Sequence, residues 1–220
     1  IRRYKRFFTD IEVNNKIVTA HCPNTGSMKG LIEEGNEVYL HKNDDPKRKL
    51  KYGLEIICAR KNLVGVNTHM ANKIANHGLS NNLIKELKNN EIIKPEVYFD
   101  KDTRFDFLIQ KNKQKIFVEV KNVTLFRDKI TAEFPDAITA RGSKHLLALI
   151  DAIKKGYKAY LLFLVQIENM KNFKIAKDID GEYYKNYKAA KKAGVNFLAY
   201  RCKINSKEIF IDKKLKIINE

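Results

Sequence analysis

The sequence predicts a protein of two domains, a small β-barrel followed by an α/β domain with a central mixed sheet. Three observations predict this fold class. Residues 4–67 alternate apolar and polar side chains in short runs separated by turn residues, whereas residues 81–202 combine strand patterns with helical periods. The hydrophobic share of 44% over 220 residues is enough to bury a core without disulfide or metal cross-links. We place the domain boundary after residue 80, which gives domains 1–80 and 81–220.

The N-terminal domain is predicted to contain five strands and a short helix. The strands cover residues 4–13, 16–22, 36–41, 50–60 and 63–67. The breaks at Asn14-Asn15, Asp44-Asp45-Pro46 and Lys61-Asn62 are rich in residues that tolerate turn geometry. Five short strands in about sixty residues are typical of an OB-like barrel, which often binds oligonucleotides, and an SH3-like barrel fits the same pattern. The helix follows over residues 68–77 and is closed by Gly78.

The C-terminal domain is predicted to run helix, strands, helix, strand, helix, strand. We expect helices over residues 81–89, 136–155 and 180–192, and strands over 93–99, 104–110, 115–126, 130–134, 157–166 and 195–202. The run from Tyr157 to Gln166 is almost continuously apolar, as in a strand that is buried on both faces. This order predicts an α/β domain built on a mixed sheet.

The charge and the cysteines limit the class of protein. The chain has 43 basic and 26 acidic residues, a net charge of +17, which favours a polyanionic partner, nucleic acid before anionic membrane. A composition rich in Lys, Ile and Asn can also produce this charge without a function. Three distant cysteines without a CxxC pair predict reduced thiols. No apolar run approaches the ~18 residues of a membrane span, so we expect a cytoplasmic protein without a membrane partner or small-molecule cofactor.

A hairpin of two core strands is predicted to bring two carboxylates together. Side chains alternate along a strand, so Glu119 and Lys121 share a face while the valines beside them point to the other. A two-residue turn at Asn112-Lys113 would place Asp106 opposite Glu119, with Cβ atoms about 5 Å apart. Two like charges at this distance destabilise a sheet unless something offsets their repulsion.

A divalent cation would offset the repulsion between these carboxylates. Mg²⁺ is commonly held by one or two carboxylates and keeps several waters for phosphate chemistry. We therefore expect Asp106 and Glu119 to hold Mg²⁺ or Mn²⁺. The alternative is a solvated face on which Arg104 and Lys121 are the ion-pair partners of the two acids.

Sequence motifs around the hairpin resemble those of a known family. Asp106, followed after a gap of twelve by Glu119-Val120-Lys121, resembles the PD-(D/E)xK nuclease signature, with Phe105 where the motif has proline. Further segments accompany it in order over nearly the full chain. They are HCPNTGSM at 21–28, NDDPKRKLKY at 43–52, VNTH at 66–69, RFDF at 104–107, VEVKNVTL at 118–125, FPDA at 134–137, RGSKHL at 141–146 and AYRC at 199–202. Together they resemble the bacterial and archaeal sugar fermentation stimulation protein A family.

The resemblance implies an OB-like N-terminal domain, a restriction-endonuclease-like C-terminal domain and DNA binding. It places Asp106, Glu119 and Lys121 on the nuclease-type positions, which implies Mg²⁺-dependent phosphodiester cleavage. The two acids would hold the metal, and Lys121 would orient the attacking water or stabilise developing charge. The alternative is a non-catalytic DNA-binding transcriptional regulator of sugar (maltose) metabolism that retains the nuclease fold.

Two further sets of site residues are expected in the C-terminal domain. Glu86 could supply the extra acid that many such nucleases present from their first helix, or could be a surface glutamate paired with a lysine. Arg141, Lys144 and His145 lie on a face of their predicted helix that is distinct from its apolar stripe. Donors there could hold phosphate oxygens, and an ordinary exposed charged face is the alternative.

The N-terminal domain has its own candidate contacts. Cations lie beside an aromatic residue at Lys47, Arg48, Lys49, Lys51 and Tyr52. OB folds follow single strands with cationic grooves and aromatic platforms, although a lysine run is often only solvated surface. The loop Asn24-Thr25-Gly26-Ser27 has donors that could approach a phosphate, or it is a simple turn. Gln166, at the end of a buried strand, could lie beside the carboxylates or satisfy backbone groups.

Overall fold

The N-terminal sheet begins with a hairpin that the sequence pattern does not reveal. In a computed structural model of the protein, which describes residues 2–218, β1 (Arg2–Tyr4) and β2 (Phe8–Val13) pair antiparallel. The single strand predicted over 4–13 is therefore wrong. Lys5 and Arg6 turn the chain with φ values of +47° and +60°, a conformation usually marked by glycine or asparagine. Six strands, rather than the five predicted, build this sheet in the described part of the chain.

The other strands of the N-terminal sheet lie close to their predicted positions. They are β3 (Lys16–His21), β4 (Val38–Lys42), β5 (Tyr52–Ala59) and β6 (Asn62–Gly65). The order is β1-β2-β3-β5-β4, with β6 also paired to β5, and the β3–β5 pair is parallel. The predicted break at Asn14-Asn15 is confirmed, since both residues have positive φ between β2 and β3.

The segment between the two sheets differs from the predicted pair of helices. Helix α1 (Met70–Ser80) continues through Gly78, which is required there because a Cβ would lie 2.5 Å from the side chain of Ile211. The predicted helix over 81–89 is wrong, and only a 3₁₀ turn at Lys85–Leu87 forms. Helix α1 packs against the C-terminal sheet, although the division after residue 80 assigned it to the first domain. That division stays a prediction.

The central sheet of the C-terminal domain is mixed, as predicted. Its strands are β7 (Ile92–Tyr98), β8 (Arg104–Lys111), β9 (Gln114–Val123), β12 (Lys158–Val165), β14 (Asn196–Ile204) and β15 (Ile209–Lys214). The order is β15-β14-β12-β9-β8-β7, in which β9, β12 and β14 are parallel and the outer pairs are antiparallel.

A smaller sheet, largely missed by the sequence analysis, lies beside the central one. It consists of β10 (Leu125–Phe126), β11 (Thr131–Phe134), β13 (Asn172–Ile175) and β16 (Lys216–Ile217), in the order β10-β11-β13-β16. Strands of two to four residues give too little alternation for a pattern to indicate them. The predicted strand over 115–126 is divided at Thr124, where β9 ends and β10 begins.

Helices cover both faces of the central sheet. Helices α2 (Ala140–Lys154) and α3 (Gly181–Lys192) pack on one face, and α1 packs on the other. Helix α2 starts later than the predicted residue 136 because Thr139 is its N-cap and accepts a hydrogen bond from the Gly142 amide at 3.0 Å. No helix among residues 2–218 is long and apolar enough to cross a membrane.

The two domains meet along a backbone junction. The Gly65 amide donates to the Gln166 carbonyl at 2.9 Å, and the Glu168 amide donates to the Leu63 carbonyl at 3.1 Å. Val64 and Ile167 form an antiparallel bridge between these bonds. Strand β6 of the N-terminal sheet is therefore paired on its outer side with the segment that follows β12.

Candidate functional site

The β8–β9 hairpin has the predicted register as far as its described pairs extend. Pairing runs from Lys111 with Gln114 to Phe107 with Val118, around a turn in which Asn112 and Lys113 have positive φ. This register is confirmed. The ladder ends one position before Asp106, so the direct Asp106–Glu119 pair is not formed. Instead, Asp106 Oδ2 accepts a hydrogen bond from the Val120 amide at 2.7 Å, and its side chain occupies the place of the next ladder bond.

Asp106 lies in a protein environment that resists its ionisation. Its Oδ1 accepts a hydrogen bond from Asn72 Nδ2 of α1 at 2.7 Å. Burial, and next the charge of Glu119, raise the pKa of Asp106 to about 6, although the bonds from Val120 and Asn72 act in the opposite direction. The bond from the amide of Val120, the residue after Glu119, keeps Asp106 beside Glu119 even though the two acids are not paired in the ladder.

Glu119 is a buried carboxylate with one partnered and one unpartnered oxygen. It is 3% exposed, and its Oε1 accepts a hydrogen bond from Lys121 Nζ at 2.7 Å and contacts His145 Nδ1. Its Oε2 has no hydrogen-bond partner among residues 2–218. Burial alone would raise the pKa of Glu119, but Lys121 and His145 outweigh it and keep that pKa below its ordinary value. The site therefore has a charged, buried oxygen without a donor.

The direction of these side chains follows from the parallel strands. Glu119 pairs with Leu161 and Lys121 pairs with Phe163, both of which face α2 and α3. His145 extends from α2 toward this face. His145 Nδ1 contacts Glu119 Oε1 and lies 3.4 Å from Lys121 Nζ, and its expected contact with phosphate stays a prediction. We call Asp106, Glu119, Lys121 and His145 the acidic cluster.

Arg141 and Lys144 remain on the surface of α2. Both are exposed, as expected. Arg141 lies four residues before His145, and residues at this spacing share one face of a helix. Arg141 therefore lies on the side of α2 that carries the acidic cluster, one turn toward the N-terminus.

Glu86 does not join the acidic cluster. Its Oε2 accepts a hydrogen bond from Tyr200 OH at 2.7 Å, and its Oε1 pairs with Lys214. Tyr200 points to the face covered by α1, opposite to Glu119. The expectation of Glu86 as a third metal ligand is corrected for this reason, and its carboxylate is held by groups on the other side of the sheet. We call Glu86, Tyr200 and Lys214 the tyrosine cluster.

The acidic cluster suits a hard divalent cation with few protein ligands. Carboxylate oxygens are the ligands that Mg²⁺, Mn²⁺ and Ca²⁺ prefer. A buried anionic oxygen without a donor is costly, and a cation would satisfy Glu119 Oε2. No group of three or more His, Cys, Asp or Glu side chains within residues 2–218 is arranged to hold an ion. The two acids would thus leave coordination places for water or phosphate oxygens.

The basic segment predicted to bind nucleic acid in the N-terminal domain lies in a loop. Lys47, Arg48, Lys49 and Lys51 are exposed in the loop between β4 and β5. Tyr52 is half-buried at the start of β5 and packs against the core, so only part of its ring can serve as a platform. The side chain of Gln166 lies at the domain junction, where its Nε2 donates to Asn122 Oδ1 at 2.6 Å.

Asn72 is the site residue that sequence reasoning missed. It donates to Asp106 from α1, 34 positions away in the chain. One signal was available, because Asn72 is three residues before Ala75 and seven before Leu79, which are both buried. A polar side chain on the apolar stripe of a helix indicates a buried partner. The sequence does not indicate which partner.

Comparisons with known proteins cover both domains. A family model described as the SfsA N-terminal OB domain matches residues 1–66, and one described as the sugar fermentation stimulation protein RE domain matches residues 69–208.

Curated relatives and a solved structure match over nearly the whole chain. A sugar fermentation stimulation protein homolog of Pelagibacter ubique is 77% identical over 100% of this chain and 94% of its own length. A homolog of Pseudoalteromonas atlantica is 43% identical over 99% of this chain and 94% of its own length. The structure of Pyrococcus furiosus SfsA in complex with Ca²⁺ has a TM-score of 0.89 and 27% identity, and the match covers 100% of this chain and 94% of that chain.

Proposed function

Because the chain belongs to the sugar fermentation stimulation protein family, we propose that it binds nucleic acid, DNA above all, and cleaves phosphodiester bonds with a divalent cation. One observation carries the proposal. Glu119 is buried and charged, one of its oxygens has no donor in the part of the chain that the structure describes, and it lies next to a second carboxylate whose pKa is raised. A structural ion pair needs neither feature.

The metal in this proposal is Mg²⁺ or Mn²⁺, held by Asp106 and Glu119. The relative from Pyrococcus furiosus was solved with Ca²⁺, a cation that prefers the same oxygen ligands. A cation beside Asp106 would also favour its ionised form, which burial and Glu119 oppose in the protein alone. Metal binding and the ionisation of Asp106 are therefore coupled.

The remaining groups of the site have separate tasks in cleavage. When bound, the cation supplies a Lewis acid for the phosphoryl group and lowers the pKa of bound water. Lys121, held by Glu119 at 2.7 Å, is positioned to orient the attacking water or stabilise charge on the phosphoryl oxygens. Asn72 and the Val120 amide each bond one oxygen of Asp106, and His145 contacts Glu119 Oε1, so both carboxylates keep a fixed direction.

Exposed cations supply the affinity for the phosphate backbone. Lys47, Arg48, Lys49 and Lys51 form one basic loop, and Arg141 and Lys144 flank the acidic cluster. Phosphate contacts of this kind position the nucleic acid without reading its sequence. Three unpaired cysteines agree with a reducing compartment, and we place the protein in the cytoplasm.

The test is metal-dependent nicking or degradation across a panel of single- and double-stranded DNA and RNA. Glu119→Gln should lower the cleavage rate at least about a hundredfold while nucleic-acid binding remains. Glu86→Gln is the matched control, since Glu86 is, like Glu119, a glutamate paired with a lysine. Its cleavage rate should equal that of the wild type.

A non-catalytic DNA-binding regulator is the second candidate function. It is favoured by the contacts of Lys121 and His145 with Glu119, which give one of its oxygens partners without a metal. Wild-type protein that binds DNA and a divalent cation but cleaves no member of the panel would identify the regulator. Equal cleavage by Glu119→Gln and the wild type would overturn the proposed site.

A further inference from the structure

A polar cavity of about 140 Å³ lies between the two domains, next to the acidic cluster in the chain. Its walls come from the loop after β3, the end of β9 and the segment between β11 and α2. The residues that carry the argument are Asn24, Thr25, Asn122, Thr124, Phe134 and Asp136. The Asn122 side chain points to the face opposite to Lys121, but Phe134 packs on Phe163, the register partner of Lys121, so the cavity reaches the face of the proposed site of cleavage.

The cavity contains hydrogen-bonding groups that the fold does not use. Within residues 2–218, no partner bonds to Asn122 Nδ2, to Thr124 Oγ1 or to Asp136 Oδ1. Thr124 is only 7% exposed. An amide donor, a hydroxyl and a carboxylate acceptor that open onto one cavity can hydrogen-bond a polar ligand in place of water.

The lining also indicates which ligand is excluded. Asp136 lines the cavity, and its charge disfavours an anionic phosphate, whereas the charge of the buried Glu133 is paired with Arg127. Phe134 supplies an aromatic surface, and its ring is fixed by contacts with Phe163 and Tyr183 at centroid distances of 5.6 and 5.3 Å. A neutral, planar ligand with donors and acceptors on its edge matches this combination.

We propose that this cavity, the interdomain pocket, receives an unstacked nucleobase of the bound nucleic acid. The inference rests on the proposed function, because the base belongs to the strand whose phosphate reaches the acidic cluster. Proteins that take a base from the stack hold it between aromatic or apolar side chains and hydrogen-bond its edge. Phe134 provides the stacking surface, and Asn122, Thr124 and Asp136 provide the edge contacts.

The loop of the N-terminal domain closes the pocket against the C-terminal domain. Ser27 Oγ donates to the Asp136 carbonyl at 2.8 Å, and a Cβ at Gly26 would lie 2.6 Å from Asp136 Oδ2. Arg3 Nη1 donates a hydrogen bond to the Gly26 carbonyl at 3.0 Å, which fixes the loop. The pocket therefore requires both domains.

The test compares two single strands of equal charge in EDTA, which prevents cleavage. One is a twelve-residue oligothymidylate, and the other is a twelve-residue chain of abasic tetrahydrofuran phosphates. Wild-type protein should bind the oligothymidylate about tenfold more tightly, because stacking of one base contributes this much. Thr25→Trp, at an exposed position on the rim, should remove the difference and leave the affinity for the abasic chain unchanged.

Ser206→Trp is the control, since Ser206 is exposed in the turn between β14 and β15, and it should keep the tenfold preference. Equal wild-type affinities for the two strands, or a preference that survives in Thr25→Trp, would overturn the inference alone. The inference would also be overturned if the protein bound a duplex of the same length and bound neither single strand. If the protein binds none of the three at low salt, the proposed function fails as well.

Discussion

The acidic cluster and the tyrosine cluster lie on opposite faces of one sheet, and both contain a glutamate paired with a lysine. In both, the lysine keeps the pKa of the glutamate below its ordinary value in spite of burial. They differ in how the carboxylate oxygens are satisfied. Glu86 uses both oxygens, one for Tyr200 and one for Lys214, whereas Glu119 has Lys121 and His145 on one oxygen and, within residues 2–218, no partner on the other.

This difference indicates which property distinguishes a candidate functional carboxylate from a structural one. Ionisation alone does not separate the clusters, because both glutamates are charged near neutral pH. The unsatisfied oxygen does separate them, since a protein has no structural reason to leave a buried charge half-partnered. The side-chain exposures of 4% for Glu119 and 26% for Glu86 increase the contrast, because water can compensate only the second.

The largest expected effect comes from removing each lysine in turn. In metal-free protein at pH 7, Lys121→Met should lower the free energy of unfolding by about 3 kcal/mol. The reason is that Glu119 stays buried and charged but loses Lys121 and keeps only the contact with His145. Lys214→Met should lower it by less than about 1 kcal/mol, since Lys214 is 49% exposed. Urea denaturation measures both values. Equal losses would show that the two clusters are equivalent.

The next effect is stabilisation by the metal itself. Mg²⁺ or Ca²⁺ at about one hundred times its dissociation constant should add about 2.7 kcal/mol to the free energy of unfolding. Thermal melts with and without the ion should show this gain in the wild type and in Glu86→Gln. The gain should be absent from Glu119→Gln. A gain that persists in that variant would place the ion elsewhere.

A somewhat smaller effect is expected from the titration of Asp106 in metal-free protein. Its pKa is raised to about 6 in the folded state by burial and by Glu119. The folded state therefore binds more protons than the unfolded state between about pH 4 and pH 6, and this carboxyl makes stability fall as pH rises through that window.

The stability of Asp106→Asn relative to the wild type should consequently rise by about 2 kcal/mol between pH 4 and pH 6. The absolute difference also contains a constant cost, because the asparagine NH2 faces one of the two N–H donors that Asp106 accepts from. Denaturation at a series of pH values, with EDTA, measures the difference between the two proteins. A difference that stays the same from pH 4 to pH 7 would mean that Asp106 does not titrate with a raised pKa in the folded protein.

The smallest expected effect concerns the phosphate contacts around each cluster. Arg141→Gln should weaken DNA binding by about 1 kcal/mol and reduce the slope of log K against log salt by about one. Lys85→Gln removes an exposed cation beside the tyrosine cluster and should leave both quantities unchanged. Titrations at several salt concentrations give the two slopes. Equal slopes for the two variants would show that the acidic cluster is not part of the surface that binds DNA.

The β8–β9 hairpin shows how much of the site could be predicted from the sequence. A two-residue turn fixes the register, and strand alternation fixes the face of Glu119 and Lys121, so local rules are sufficient. The contacts of Asp106 with Asn72 and of Glu119 with His145 depend on helices docked from elsewhere. No local pattern encodes those distances.

The segment after α1 shows where a correct pattern leads to the wrong element. Leu83, Ile84 and Leu87 have helical spacing, and Ile84 and Leu87 are indeed buried. However, Asn82 and Asn89 both have a φ of +57°, which bends the chain out of the helical conformation at each end. Packing against the sheet requires the apolar residues but not the helix.

The backbone junction at Gly65 has a consequence for how the molecule can be divided. A Cβ at this position would lie 2.5 Å from the side-chain oxygen of Gln166, so glycine allows the two segments of the chain to approach each other. The outer edge of β6 is covered only because residues 166–168 run along it. Cutting the chain between the domains would uncover an unpaired strand edge, which is a template for aggregation. The N-terminal domain produced alone is therefore expected to aggregate more readily than the whole chain.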